Sequence, residues 1–409
     1  MNRTLAAALA SFFVLAGCGG DPASSTGRVT QSGSAGAVRY EVPLQADSAR
    51  LSAGTYFTAG ADQDGHVYAW GDNTYGQLGD DATLARPAPV PVAGLSGVRA
   101  VAAGGYHVTA LERDGTVWTW GNNTYGQLGQ GYFSSRVGHP VPVQGLSGIA
   151  AISSGYLFSL ATHANGTVYS WGRVANANRA GFQPVSGLSN VAAATAGYEH
   201  ALAVTRSGAL WGWGSNKAGQ LGTGRPAAIE NTPVRIASLD KVVGAAAGYM
   251  HSLALRQDGT VWAWGSNAFG QLGVNLSSSR LPVRVHGLPV PVNGASGVKA
   301  IAAGTYNSVV VYSDGSVWAW GGNGYGQIGN GTTVRATEPQ QIQGLGRAVS
   351  ATVGNGHIAI LMADGSVYAI GFNANGQLGN NTTANAMVPV QVSGPQGAGN
   401  LDLGQSRDQ

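Results

Sequence analysis

The sequence predicts an all-β protein, a seven-bladed β-propeller of four-stranded antiparallel blades. Three observations carry this expectation. A DG, NG or SG dipeptide recurs at 64–65, 114–115, 165–166, 207–208, 258–259, 314–315 and 364–365, at intervals of 42 to 56 residues, and a fixed period of that size marks a repeat architecture rather than a string of separate domains. Each unit reads as four short strands. Finally, the phrase NTYGQLG at 73–79 and 123–129 returns as NKAGQLG at 216–222, NAFGQLG at 267–273, NGYGQIG at 323–329 and NANGQLG at 373–379.

The chain opens with Arg3 and an apolar run from Leu5 to Ala16 that is too short to span a bilayer. The run ends in LAGC at 15–18, and Cys18 is the single cysteine. This resembles a bacterial lipobox, which implies a leader over 1–17 and a lipidated Cys18 followed by a flexible linker to residue 38. Several acyl chains, each buried methylene contributing about 0.8 kcal/mol, would anchor the chain stably. The expected placement is exported and lipid-anchored. Gly19 is not the aspartate associated with inner-membrane retention, so the outer membrane is favoured where the cell has one. Residues 19–38 are small and polar, as a tether should be. The propeller is expected over 39–394, with a C-terminal tail over 395–409.

Unit two shows the blade most clearly. VRAVAAG, HVTALER, TVWTWG and HPVPVQ are its strands a to d, with Asp114–Gly115 as the tight turn between b and c. Strand a is built of small residues in most units, while strand c carries large aromatics. Sheets arranged radially crowd their first strands at the axis, where only Ala and Gly fit, and the aromatics cover the neighbouring sheet further out. Unit three departs from the pattern, with RVANANRAG at 173–181 in place of the glutamine phrase, and unit seven has Ile370 where the others have tryptophan. A doubled phrase, LPVRVHG then LPVPVNG, lengthens the interval before unit six. EVPLQADSARLSAG at 41–54 resembles a d strand leading into an a strand, giving eight d-like segments for seven blades. One end is therefore expected to complete a blade begun by the other.

Only 10% of the residues are charged, against about 25% in an ordinary soluble protein. The net charge is +3 and the basic residues are scattered, so the stripe that nucleic-acid binding requires is missing.

The consensus A-G-x-x-H-[ST]-x-A-L-x-x-D-G-x-V-W-x-W-G-x-N-x-x-G-Q-L-G resembles the regulator of chromosome condensation repeat, from residue 48 to about 394. The resemblance implies a seven-bladed propeller. It also implies a binding role, since a secreted β-lactamase-inhibitory member of the family uses aromatic residues at the a–b turn to contact the enzyme. In the family's plant photoreceptor that turn carries tryptophans, whereas here it carries tyrosines. The nucleotide-exchange activity of the chromatin member depends on an inserted wedge that has no counterpart here.

A phrase repeated in register around a ring points in many directions, so NTYGQLG and its relatives read as scaffold. His107, His200, His251 and His357 occupy one equivalent position each and cannot jointly hold a metal, because packed sheets lie about 10 Å apart. They read as structural hydrogen-bonding residues. The strand order puts the a–b and c–d loops on one face, and there a tyrosine recurs after the a-strand glycine: Tyr56, Tyr106, Tyr156, Tyr198, Tyr249 and Tyr306. Tyr75, Tyr125, Phe269 and Tyr325 of the c–d loops join them. Such a surface has the makeup of a protein-binding face. With no convergent acid, base, nucleophile or metal cluster in view, the expected role is a non-catalytic, monomeric interaction module without a cofactor. Its partner would be an envelope or extracellular protein, and its contact with the membrane the lipid alone. An inhibitor of a secreted hydrolase and a glycan-binding surface protein are the two alternatives.

Overall fold

In the computed structural model the described residues are 11–14, 50–174, 177–225, 228–286 and 297–404. They form seven four-stranded antiparallel sheets, each drawn from consecutive strands, around a common axis. The innermost strands are Leu51–Ala53, Val98–Ala103, Ile149–Ser154, Val191–Ala196, Val242–Ala247, Val298–Ala303 and Ala348–Val353. A short extra strand, Ser11–Val14, pairs with Val298–Ala303 at the inner edge of blade six and falls inside the apolar run 5–16. Cys18, residues 41–49 and the whole of the second phrase, LPVPVNG at 288–294, lie outside the described residues.

In every blade the register of strands c and d shifts before the c-strand glycine, as between Ala69 and Gly71. Such bulges bend the outer strand and add twist. At Gly121, with φ of +104°, a Cβ would come 2.5 Å from the carbonyl oxygen of Tyr106. The a–b turn therefore lies directly on the end of strand c, and Asn122 N–H donates to that same carbonyl at 2.8 Å. Only glycine permits both the positive φ and the approach. In unit three the glutamine phrase gives way to a hairpin in which Arg173 pairs with Asn178 and Val174 with Ala177.

The core runs from blade to blade. Trp70, Trp120, Trp171, Trp213, Trp264 and Trp320 of strand c are fully buried, each against the preceding blade's sheet. Trp120, for example, joins a cluster otherwise supplied largely by blade one, with Phe57, Ala59, Val67 and Leu78.

Closure differs from the expected strand exchange. Blade seven is complete within Ala348–Gln391, and blade one begins at Leu51. The chain after it instead folds back over the seam. A 3-10 turn at Pro395–Gly397 leads to bridges of Asn400 with Ser393 and Asp402 with Ser366. Leu401 and Leu403 are buried with Leu51, Trp70 and Val392, and the Arg50 guanidinium donates to the Leu403 carbonyl. Residues 395–404 are thus part of the ring's packing.

Leu403→Ala is expected to cost about 2–5 kcal/mol of unfolding free energy, while Leu84→Ala on the surface should stay within about 0.5 kcal/mol. Denaturant titration of the two variants checks this.

Candidate functional site

The face that carries the tyrosines is built by the glutamine loops, and the loop geometry explains the repeated phrase. In all six copies the asparagine Oδ1 accepts the N–H of the buried Leu or Ile five residues on, from Asn73–Leu78 at 3.0 Å to Asn373–Leu378 at 2.9 Å. The glutamine Oε1 accepts the N–H two residues before it, at 2.8–2.9 Å. Its backbone carbonyl faces the next blade, where it accepts the indole N–H of the buried tryptophan: Trp120 donates to Gln77, Trp171 to Gln127, Trp264 to Gln220, Trp320 to Gln271 and, across the closure, Trp70 to Gln377. The final glycine leaves room for that indole, and a Cβ at Gly222 would lie 2.7 Å from Trp264 Nε1.

The four histidines complete the same joint. His107 Nε2 lies 2.8 Å from Ser159 Oγ of the next blade, and Ser159 donates to the Gln127 carbonyl at 3.1 Å. With its own proton so placed, the serine must accept, so the histidine carries its hydrogen on Nε2. His200 with Ser252, His251 with Ser308 and His357 with Thr58 repeat the arrangement at 2.9, 3.0 and 3.1 Å. The phenylalanines at this position, Phe57 and Phe158, are followed one blade on by Val108 and Ala201 at the corresponding site. Sequence reading missed this pairing of histidine with a hydroxyl one blade later, although both halves are written in the repeats. Burial lowers the pKa of all four histidines from 6.5 to about 3.

The tyrosines of the a–b turns meet one another around the axis. Tyr156 and Tyr198 stack with centroids 4.4 Å apart, and Tyr106–Tyr156, Tyr198–Tyr249 and Tyr249–Tyr306 make edge contacts at 5.9, 4.3 and 6.2 Å. Tyr75 and Phe269 extend the two ends at 5.1 and 4.2 Å. A second arc joins Tyr56, Phe372 and Tyr325. Phe372 was not among the expected residues. It stands just after the c-strand glycine and supplies an aromatic ring on this face in blade seven, the blade whose a–b turn has Asn355 and Gly356. Asn355 in turn donates to the Tyr56 hydroxyl at 2.9 Å and accepts from Thr305. Tyr125 stands apart from both arcs, under the Arg173 guanidinium at 5.3 Å.

The a-b tyrosines are half-buried, while Phe269 and Tyr325 are exposed. Burial pushes the Tyr106 hydroxyl up to about 12, and raises Tyr156 and Tyr198 as well. Near neutral pH these hydroxyls are therefore neutral donors on an aromatic floor. Asp72, Glu199 and Arg173 lie close enough to act on the tyrosines electrostatically. On the opposite face, ligand atoms of Asp62, Asp64 and His66 come within 4.8 Å of one another, the one such group among the described residues. Asp62 already accepts the backbone N–H of His66 and bonds its ring.

Comparison with known proteins places this architecture. The RCC1-like domain matches residues 175–406, and the regulator of chromosome condensation (RCC1) repeat matches 64–111 and 114–162, with a second form of the repeat at 49–77, 98–127 and 149–178. The chain is 37% identical over 139 residues to human probable E3 ubiquitin-protein ligase HERC6, covering 33% of this chain and 13% of that protein. It is 30% identical over 309 residues to human E3 ubiquitin-protein ligase HERC2, covering 71% of this chain and 6% of that protein. The chain thus spans a small part of these relatives. Among solved structures, yeast RCC1 (Prp20) bound to Kap60 superposes with a TM-score of 0.71 at 20% identity, covering 90% of this chain and 91% of that one. Human WBSCR16 gives 0.69 at 23% identity, covering 80% and 94%.

The lowered histidines set a pH dependence. Between pH 3 and 6.5 the unfolded chain binds protons on them that the folded chain does not. Stability should therefore be full above the upper value and decline as pH falls through the window. Denaturant titrations from about pH 7.5 to about 4.5 are expected to show this decline, and His107→Asn, the residue that blade six uses, should make it shallower.

Proposed function

The chain belongs to the regulator of chromosome condensation repeat family, and on that premise we propose that it acts as a non-catalytic protein-binding propeller whose working surface is the tyrosine-bearing face. The observation that carries this reading is the nearly continuous aromatic floor from Tyr75 through Tyr106, Tyr156, Tyr198, Tyr249 and Tyr306 to Phe269. Rings held by one another lose little freedom on binding, and their hydroxyls remain as donors, the combination that favours aromatic anchors at interfaces. A like-folded propeller, yeast RCC1, is described bound to another protein, Kap60. The ligase activity in the names of HERC2 and HERC6 belongs to much longer proteins and is not carried over.

In the same reading the propeller is exported and held at a membrane by lipid on Cys18, through the spacer 19–38. The LAGC sequence and the position of the sole cysteine support this placement. A partner would then be an envelope or extracellular protein.

Immobilised protein exposed to an envelope extract is expected to retain a partner that the triple variant Tyr106→Ala, Tyr249→Ala, Tyr306→Ala loses while keeping its β-sheet circular dichroism. Equal retention by both would put the interface elsewhere. Expressed in a bacterium with labelled palmitate, the full chain should incorporate label and the Cys18→Ser variant should not; label in both, or in neither, removes the anchor.

A further inference from the structure

Blade four carries a second candidate site on the opposite face, and we infer that it binds a sugar bearing a carboxylate. A cavity of about 310 Å³ opens between the link entering blade four and the b–c turn of that blade. That volume is at the small end of ligand cavities and suits a single ring. Its apolar wall is the half-buried indole of Trp211, and Ser189, Asn190, Thr205 and Ser207 supply hydroxyl and amide groups around it. Arg235 stands directly across from Trp211 in the pairing of strands c and d. No acidic side chain lines the cavity.

Blade five shows one way in which such a tryptophan is closed off. There the Thr260 hydroxyl takes the Trp262 indole N–H at 2.9 Å, and Arg256, itself bonded to Asp240 and Asp258, reaches over the Trp262 ring. In blade four the residue equivalent to Thr260 is Ala209. The smaller side chain opens the cavity and leaves the Trp211 indole N–H without that acceptor. Among the described residues neither the Trp211 indole N–H nor the Arg235 guanidinium has a side-chain partner.

A flat aromatic face flanked by hydroxyls suits the C–H face and hydroxyl groups of a pyranose. An uncompensated guanidinium beside it selects a carboxylate, which it can hold with two parallel hydrogen bonds. The site is independent of the tyrosine face.

The test is ¹⁵N NMR of the indole signals of the full chain, with the Trp211 signal identified by its loss in Trp211→Phe. Glucuronic acid is expected to shift that signal at concentrations at least tenfold below those needed for glucose or acetate. Arg235→Gln should abolish the preference for the acid over glucose, and Ala209→Thr, which restores the blade-five arrangement, should weaken glucuronic acid at least tenfold. The remaining indole signals report whether either variant is still folded. No shift with glucuronic acid, an equal response to glucose, an equal response to acetate, or unchanged binding in both folded variants would each overturn the proposal.

Discussion

Five of the seven joints of the ring depend on one backbone carbonyl each. The glutamine of the c–d loop turns its C=O toward the following blade, and the next tryptophan indole and, in four joints, a serine or threonine hydroxyl donate to it. Neither donor could be buried there unpaired without cost, because an unsatisfied buried polar group loses the full free energy of its hydration. The asparagine and the glutamine side chain hold the loop so that this carbonyl points outward. The histidine then orients the hydroxyl. Burial of the large indole and satisfaction of its N–H thus occur in a single contact, which couples packing between blades to the loop conformation within one.

Much of this was legible in the residues. A tight-turn dipeptide at each unit, small residues on strand a and aromatics on strand c could satisfy one geometry, and the structure has it. The scaffold character of the glutamine phrase was visible from its repetition alone. What each residue does in it was not, since the Gln77 carbonyl is a backbone atom and leaves no mark of its own in the sequence. Phe372 escaped notice because it fills its place in the aromatic floor from the end of strand c, not from the a–b turn where the other blades put a tyrosine. Leu401 and Leu403 escaped because two leucines in a glycine-rich end have no periodicity, and their burial comes from a seam between residues more than 300 positions apart. The blade-four cavity depends on what is missing, a hydroxyl at Ala209, and such an absence shows only when its neighbours are seen in space.

The two faces divide the chemistry. On one, close approach of the a–b turns gathers tyrosines from six blades, so a single chain presents a surface no one blade could make. On the other, the short b–c turns bond the first strand of the next blade, as the Gly208 carbonyl accepts the Val242 N–H, and a recess there belongs to one blade and its incoming link. Repetition therefore produces the shared surface, and departure from repetition produces the local one.

Trp213 brings out a further property of the ring. Among the described residues its indole N–H is buried without a partner, as is the Thr195 hydroxyl, because the hairpin of unit three offers no glutamine carbonyl to blade four. The joint between the chain's two ends, by contrast, has the carbonyl of Gln377, the His357–Thr58 contact and the packed leucines of the tail. The ring therefore carries two buried polar groups without partners between blades three and four, in the interior of the chain, and not at the joint where its ends meet.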